Sequence, residues 1–97
     1  MHIEITDERS DDGAIGQYDL LVDGEDAGEL TWSMRSGRRV ISHTGVRHQL
    51  RGHGLAAELM KRAMDDARAE GVQVLPVCSY AVAFLRGTDA YDDVVAG

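Results

Sequence analysis

Through the first half of the chain apolar residues alternate with polar ones; in the second half they recur at every third or fourth position. Alternation predicts strands, whose successive side chains point to opposite faces, and the wider spacing predicts helices. Residues 2–6, His2-Ile3-Glu4-Ile5-Thr6, read as an edge strand, and residues 7–13 as a polar, acidic turn region. The next strand covers 14–23, with Tyr18, Leu20 and Val22 on one face. Asp23-Gly24-Glu25-Asp26 then supplies the Asp-Gly pair that a two-residue hairpin favours. The returning strand, 27–34, carries Leu30, Trp32 and Met34 on one face and Glu29, Thr31 and Ser33 on the other. Ser36-Gly37 turns the chain into a fourth strand over 39–46, rich in β-branched residues.

Residues 55–70 form the clear helix. Leu55, Ala56, Leu59, Met60, Ala63, Met64 and Ala67 make its apolar stripe, and Glu58 and Arg62 on the polar face are spaced for an i,i+4 ion pair. Gly71 stands where a left-handed C-cap belongs. Residues 72–78 then read as a short buried strand, with Pro76 marking where ladder pairing must stop or splay. Residues 80–86 suggest a short second helix broken by Gly87, and the pattern assigns no form to 88–95. The expected architecture is α+β: a mostly antiparallel sheet of about five strands, a central helix crossover and a short second helix. A right-handed crossover makes the last strand parallel to its neighbour.

The 97 residues suit one small domain spanning 1–97, which would bury about 60–65% of its unfolded surface. A formal charge of −7 argues against general nucleic-acid binding, which needs a basic face. The basic residues gather between Arg35 and Arg51, a placement suited to a small polyanion. The single cysteine, Cys78, excludes an intramolecular disulfide, and no Cys/His spacing suggests a metal site. With no apolar run of membrane-spanning length and no signal peptide, the expectation is a cytoplasmic protein without a membrane partner.

The most informative stretch is Val46-Arg47-His48-Gln49-Leu50-Arg51-Gly52-His53-Gly54-Leu55-Ala56, a glycine-bearing turn between strand and helix. The first turn of a helix has N–H groups without intrahelical partners and the positive end of the dipole, and glycines let a phosphate approach the backbone. Arg47, Arg51 and His53 each read also as solvated charges, and of the three Arg51 has the best side chain for phosphate oxygens.

The spacing Gln49-x-x-Gly52-x-Gly54 resembles the loop signature of the GNAT acetyltransferases. The blocks His43-Thr44-x-Val46, Leu50-Arg51-Gly52-x-Gly54-Leu55-Ala56, Pro76-x-Cys78-x-Tyr80 and Tyr91-x-Asp93-Val94-Val95 are similar to a short YjdJ-type branch of that superfamily. Thr88-Asp89-Ala90-Tyr91 departs from the His-Pro-Glu-Tyr-like stretch of that branch. The resemblance implies acetyl-CoA as cosubstrate, its pyrophosphate held at Arg47, Arg51, Gly52, His53, Gly54 and Leu55 and its pantetheine arm laid along the strand ending at Val46. It further implies an amine acceptor, with His43, Cys78 and Tyr80 as the catalytic candidates.

Each candidate has a plainer reading. His43 suits a general base near neutral pH, but a lone strand histidine is more often a structural hydrogen-bonding group. Cys78 reads as a small hydrophobe or, through the resemblance, as an acyl acceptor able to pair with His43 across splayed strands. Tyr80 reads as a proton donor to a departing thiolate or as a half-buried aromatic. Tyr91 reads as packing, and Glu29 as a solvated residue or a base acting through water. Three functions follow: an N-acetyltransferase, a non-catalytic CoA or acyl-CoA module (an acyl-cysteine carrier included), and an interaction domain with an idle loop. A monomer or a homodimer is expected, the latter because so small a fold leaves sheet surface uncovered.

Overall fold

A computed structural model of the chain describes residues 1–96. Its elements run β1 (Ile3–Arg9), β2 (Ile15–Val22), β3 (Glu25–Arg35), β4 (Arg38–Val46), a 3-10 turn (His48–Leu50), α1 (Leu55–Glu70), β5 (Val74–Pro76) and α2 (Ser79–Arg86). The strands form one five-stranded sheet in sequence order. The first four pair antiparallel and β5 runs parallel to β4. This is the α+β arrangement that the pattern of positions predicts.

The second and third hairpins each turn on two residues of positive φ: Asp23 (50°) with Gly24 (85°), and Ser36 (51°) with Gly37 (77°). Such turns follow the right-handed twist of the strands they join. The register places Tyr18 opposite Leu30, and Trp32 opposite both Gly16 and Ile41. These large side chains therefore share one face. Against it lies the α1 stripe of Leu55, Leu59, Met60, Ala63, Met64 and Ala67, with Ala81 of α2 and Val94 closing the same core. The other face carries Glu29, Ser42 and His43, which are wholly or partly open to solvent.

Several boundaries differ from the expected ones. β1 continues through Asp7, Glu8 and Arg9, residues expected in a turn, because their backbones pair with Tyr18, Gln17 and Gly16. The turn is left to Ser10 and Asp12, whose side chains accept from the Ala14 N–H. β5 is only three residues long. Val72 is spent capping α1, donating to Ala67 while Gly71 donates to Arg68. At the far end of β5, the Val77 and Cys78 N–H groups both converge on the Ile41 carbonyl. On α1, Arg62 pairs with Asp66 at 3.0 Å rather than with Glu58. Asp66 also accepts from the Tyr18 hydroxyl at 2.7 Å, so a carboxylate already at the core boundary draws Arg62 toward it. Residues 88–95 turn back to place Val95 in a parallel bridge with Val74.

The basic stretch from Arg35 to Arg51 does not gather at the loop. β4 separates its two ends, so Arg35, Arg38 and Arg39 lie at the opposite end of the strand from Val46, roughly 25 Å away at the usual rise per residue. Arg39 is buried over the Trp32 ring, 4.2 Å from its centroid, and reaches Glu70 at 2.9 Å. Arg9 grips the same carboxylate with both terminal nitrogens. These hydrogen bonds, Arg9 first and Arg39 second, hold Glu70 down to about 2 from a usual 4.5.

The unfolded chain takes up a proton at Glu70 at higher pH than the folded one does. The cluster's contribution is thus fully present above about pH 4.5 and is lost as the pH falls toward 2. Solvent reaches this carboxylate and limits the direct ion-pair gain to about 1 kcal/mol. The larger loss on truncation is the buried partner left behind. Glu70→Ala is expected to cost about 1–3 kcal/mol near neutral pH and to flatten the acid limb of stability. Urea unfolding of both proteins across a pH series checks this.

Candidate functional site

β4 and β5 pair only from Arg39 to Ile41. Past Ile41, β5 ends at Pro76 and the chain enters α2, while β4 continues for five more residues. The strands part at a bulge in β4. Thr31 faces His43 and Trp32 faces Ile41, leaving Ser42 as the extra residue. Its hydroxyl is tied to Thr31. Further on, the Arg47 N–H donates to Ala27, so every second residue back from Arg47 directs its backbone toward β3. The intervening residues, Thr44 and Val46, therefore turn their N–H and C=O groups to the edge that β5 has left.

This edge forms one wall of a cavity of about 350 Å³ lined by Thr44, Gly45, Val46, Leu50, Arg51, Gly52, Gly54, Leu55, Ala56 and Tyr80. The opposite wall is the start of α1. Gly54 is its N-cap, with φ of 73° and no side-chain cap, and the first helical hydrogen bond is Glu58 N–H to the Gly54 carbonyl. The N–H groups before it have no helical partner and point outward with the positive end of the dipole. Gly52, at φ 88°, also holds a conformation that side chains resist.

Five of the seven residues expected to hold a cofactor line this cavity: Val46, Arg51, Gly52, Gly54 and Leu55. Arg47 instead lines a second cavity on the sheet's open face. His53 is exposed and lines none of the cavities described. Thr44, Gly45, Leu50 and Ala56 join the lining without having been assigned a role. Their signal lay in alternation along β4 and in the helical position of Ala56, both legible once the strand edge is known to be vacant.

Cys78 is the N-cap of α2; its sulfur accepts from the Ala81 N–H at 3.4 Å and lies 3.6 Å from the Thr44 hydroxyl. Two residues later, Tyr80 faces the cavity and stacks on Phe84, 6.4 Å between ring centroids. Burial raises its hydroxyl above the ordinary tyrosine value. The expected Cys–His pair is not among these contacts, because neighbouring β4 residues point to opposite faces. Thr44 meets Cys78 on the helix side, whereas His43 stands on the open side with its Nε2 3.0 Å from Glu29. Tyr91 packs, beside Phe84 at 6.3 Å and beneath the Arg68 guanidinium. Among the described residues no group of three or more His, Cys, Asp or Glu could hold a metal ion, and no helix is long and apolar enough to cross a membrane.

Residues 17–94 match the family of GCN5-related N-acetyltransferases. The chain belongs to this GNAT family. Its fold is similar to the solution structure of a GCN5-like protein from Staphylococcus aureus (26% identity, 97% of this chain and 88% of that one, TM-score 0.72). It is also similar to a Bacillus anthracis protein described as a streptothricin acetyltransferase and solved with acetyl coenzyme A (15% identity, 68% of this chain and 39% of that one, TM-score 0.61). A third similar structure is AAC(6')-Iy with the bisubstrate analog CoA-S-monomethyl-acetylneamine (12% identity, 90% and 86% of the two chains, TM-score 0.67). No curated protein sequence matches the chain.

In this GNAT chain a Cβ at Gly52 or Gly54 meets nothing within 4 Å. The cost of a small side chain there is purely conformational. Gly52→Ala and Gly54→Ala should each lower stability by about 1–2 kcal/mol, measured by urea unfolding, without disturbing the packing of α1.

Proposed function

We propose that this GNAT protein is an acetyl-CoA-dependent N-acetyltransferase acting on a cationic amine. The observation that supports the reading best is the cavity between the vacant β4 edge and the uncapped start of α1. It joins three features that coenzyme A needs: a backbone edge for an amide-bearing arm, unpartnered N–H groups for a pyrophosphate and an apolar wall. The N–H groups after Gly52 and Gly54, with Arg51 beside them, take the pyrophosphate. Thr44 and Val46 offer backbone bonds to the pantetheine arm, which directs the acetyl group toward Cys78 and Tyr80. The three solved relatives include one with acetyl coenzyme A and one with a CoA bisubstrate analog, in keeping with this choice of cosubstrate. The acidic balance of the chain, −7, favours a positively charged acceptor.

In the reaction, the acceptor nitrogen attacks the thioester carbonyl carbon and the carbon–sulfur bond breaks. The chain holds both partners in place and handles the protons. His43 takes the proton that the ammonium group must lose. Tyr80, kept protonated by burial, gives its hydroxyl proton to the departing sulfur and regains one from water. The positive end of α2 lies at this point and favours the negative charge that develops there.

A second reading rests on Cys78. Its sulfur sits at the α2 N-cap beside Thr44, in position to accept the acetyl group and act as a carrier. The two readings part in one experiment. Titration calorimetry with acetyl-CoA and with CoA should show binding of both, and Gly52→Val or Gly54→Val should weaken it by at least about tenfold, about 1.4 kcal/mol. Mass spectrometry of the intact protein after incubation should then show no acetyl adduct for direct transfer. An adduct lost in Cys78→Ala assigns the carrier route, and absence of binding overturns both.

A further inference from the structure

β4 presents two successive side chains to two different cavities. Thr44 lines the one beside α1, and His43 lines another, of about 440 Å³, on the sheet's open face. The bulge at Ser42 sets this arrangement, because the extra residue re-aims the side chains that follow it. His43 does not stand straight out above its cross-strand partner Thr31. Its Nε2 reaches Glu29, whose own cross-strand partner is Gly45. The imidazole therefore lies along the strand over Gly45. A Cβ on Gly45 would sit 3.1 Å from Nε2 and 3.2 Å from the adjacent ring carbon. The absent side chain at Gly45 is what lets the ring lie down and meet the carboxylate.

As a stability device this contact is weak. His43 and Glu29 keep 54% and 43% of their side-chain surface exposed, and exposed pairs contribute little. Its consequence is one of orientation. A carboxylate accepts but cannot donate, so in the neutral imidazole it selects the tautomer with the proton on Nε2. The lone pair is then on Nδ1. The position also fits, since His43 is two residues past Ile41, the last β4 residue that β5 covers.

From this geometry we propose that Glu29 is a positioning residue that fixes the His43 tautomer, making Nδ1 the proton acceptor for an amine arriving on the open face of the sheet. The proposal rests on the acetyl-transfer reading above. Acetyl-CoA and acceptor then approach β4 from opposite faces, the acceptor from the cavity that lies over β2, β3 and β4. When the amine gives up its proton, it passes to Nδ1. The resulting imidazolium keeps its Nε2 proton against the Glu29 carboxylate and later releases the Nδ1 proton to water. Asp19, Asp26 and Glu29 border this cavity, with Arg47 and His43 the basic side chains lining it, so a protonated amine suits its charge.

Long-range proton–nitrogen NMR spectra of the full chain labelled with ¹⁵N-histidine, recorded where imidazoles are neutral, read the tautomer directly. The expected result is a protonated Nε2 at His43, with the preference lost in Glu29→Ala and in Gly45→Ala, which displaces the ring by a different route. Release of CoA from acetyl-CoA with spermidine as the amine probe should fall about tenfold or more in Glu29→Ala, with acetyl-CoA affinity unchanged by calorimetry. A protonated Nδ1, a tautomer indifferent to Glu29→Ala, or CoA release no faster in the unaltered protein than in Glu29→Ala overturns the proposal. Failure of the unaltered protein to bind acetyl-CoA would instead overturn the transfer reading on which it rests.

Discussion

A strand inside a sheet has both hydrogen-bonding edges occupied, and one that loses a neighbour halfway along must leave polar backbone groups bare. β4 does this. β5 follows it for three residues and then ends at Pro76, which has no N–H to donate, while the bulge at Ser42 bends β4 away. The Val77 and Cys78 N–H groups both settle on the single carbonyl of Ile41, so the parting of the strands is itself hydrogen-bonded. The vacant edge, the start of α1, the α2 N-cap at Cys78 and Tyr80 border this parting, while His43 stands on the other face of β4.

The same parting explains how so small a chain can shape a site at all. The core lies on one face of the sheet, where α1 and α2 pack on Tyr18, Leu30, Trp32 and Ile41. Rigidity on that side, and the pairing with β3, let this stretch of β4 hold its place with its other edge vacant. At the far end of β4 the Arg9–Glu70–Arg39 cluster closes over Trp32, fastening the strand at the end opposite the cavity. The two ends of β4 thus divide the work: one is locked by burial and charge, and the other stays open.

Much of this was legible along the chain. The α1 stripe, the two hairpin turns and the stop at Pro76 each rest on local rules of periodicity, backbone conformation or a missing donor, and local rules can be read from local sequence. What was not legible was relational. Residues 7–9 look like a turn by composition, and only pairing with residues 16–18 makes them a strand. Arg35 to Arg51 look like one basic patch, and only the length of β4 divides it. Arg62 meets Asp66 rather than Glu58 because Tyr18, from another strand, already fixes that carboxylate. Each of these outcomes depended on a partner more than forty residues away or on the span of an extended strand, except the first, which depended on the return strand of a hairpin.

The candidate site divides along the same line. Gly52 and Gly54 could be assigned to the cavity from the loop alone, because positive φ is a property of the residue. The side on which a strand residue acts is not, since one extra residue reverses it. His43 and Cys78 read in sequence as a pair, yet the bulge gives Cys78 to Thr44 and His43 to Glu29. That exchange changes the chemistry that each residue can perform. A thiol beside a hydroxyl and a helix N-terminus has a field to hold negative charge but no base within these contacts. An imidazole against a carboxylate is an oriented base standing apart from the sulfur. The imidazole and the thiol therefore fall on opposite faces of one strand, which is the arrangement that the proposed transfer would use.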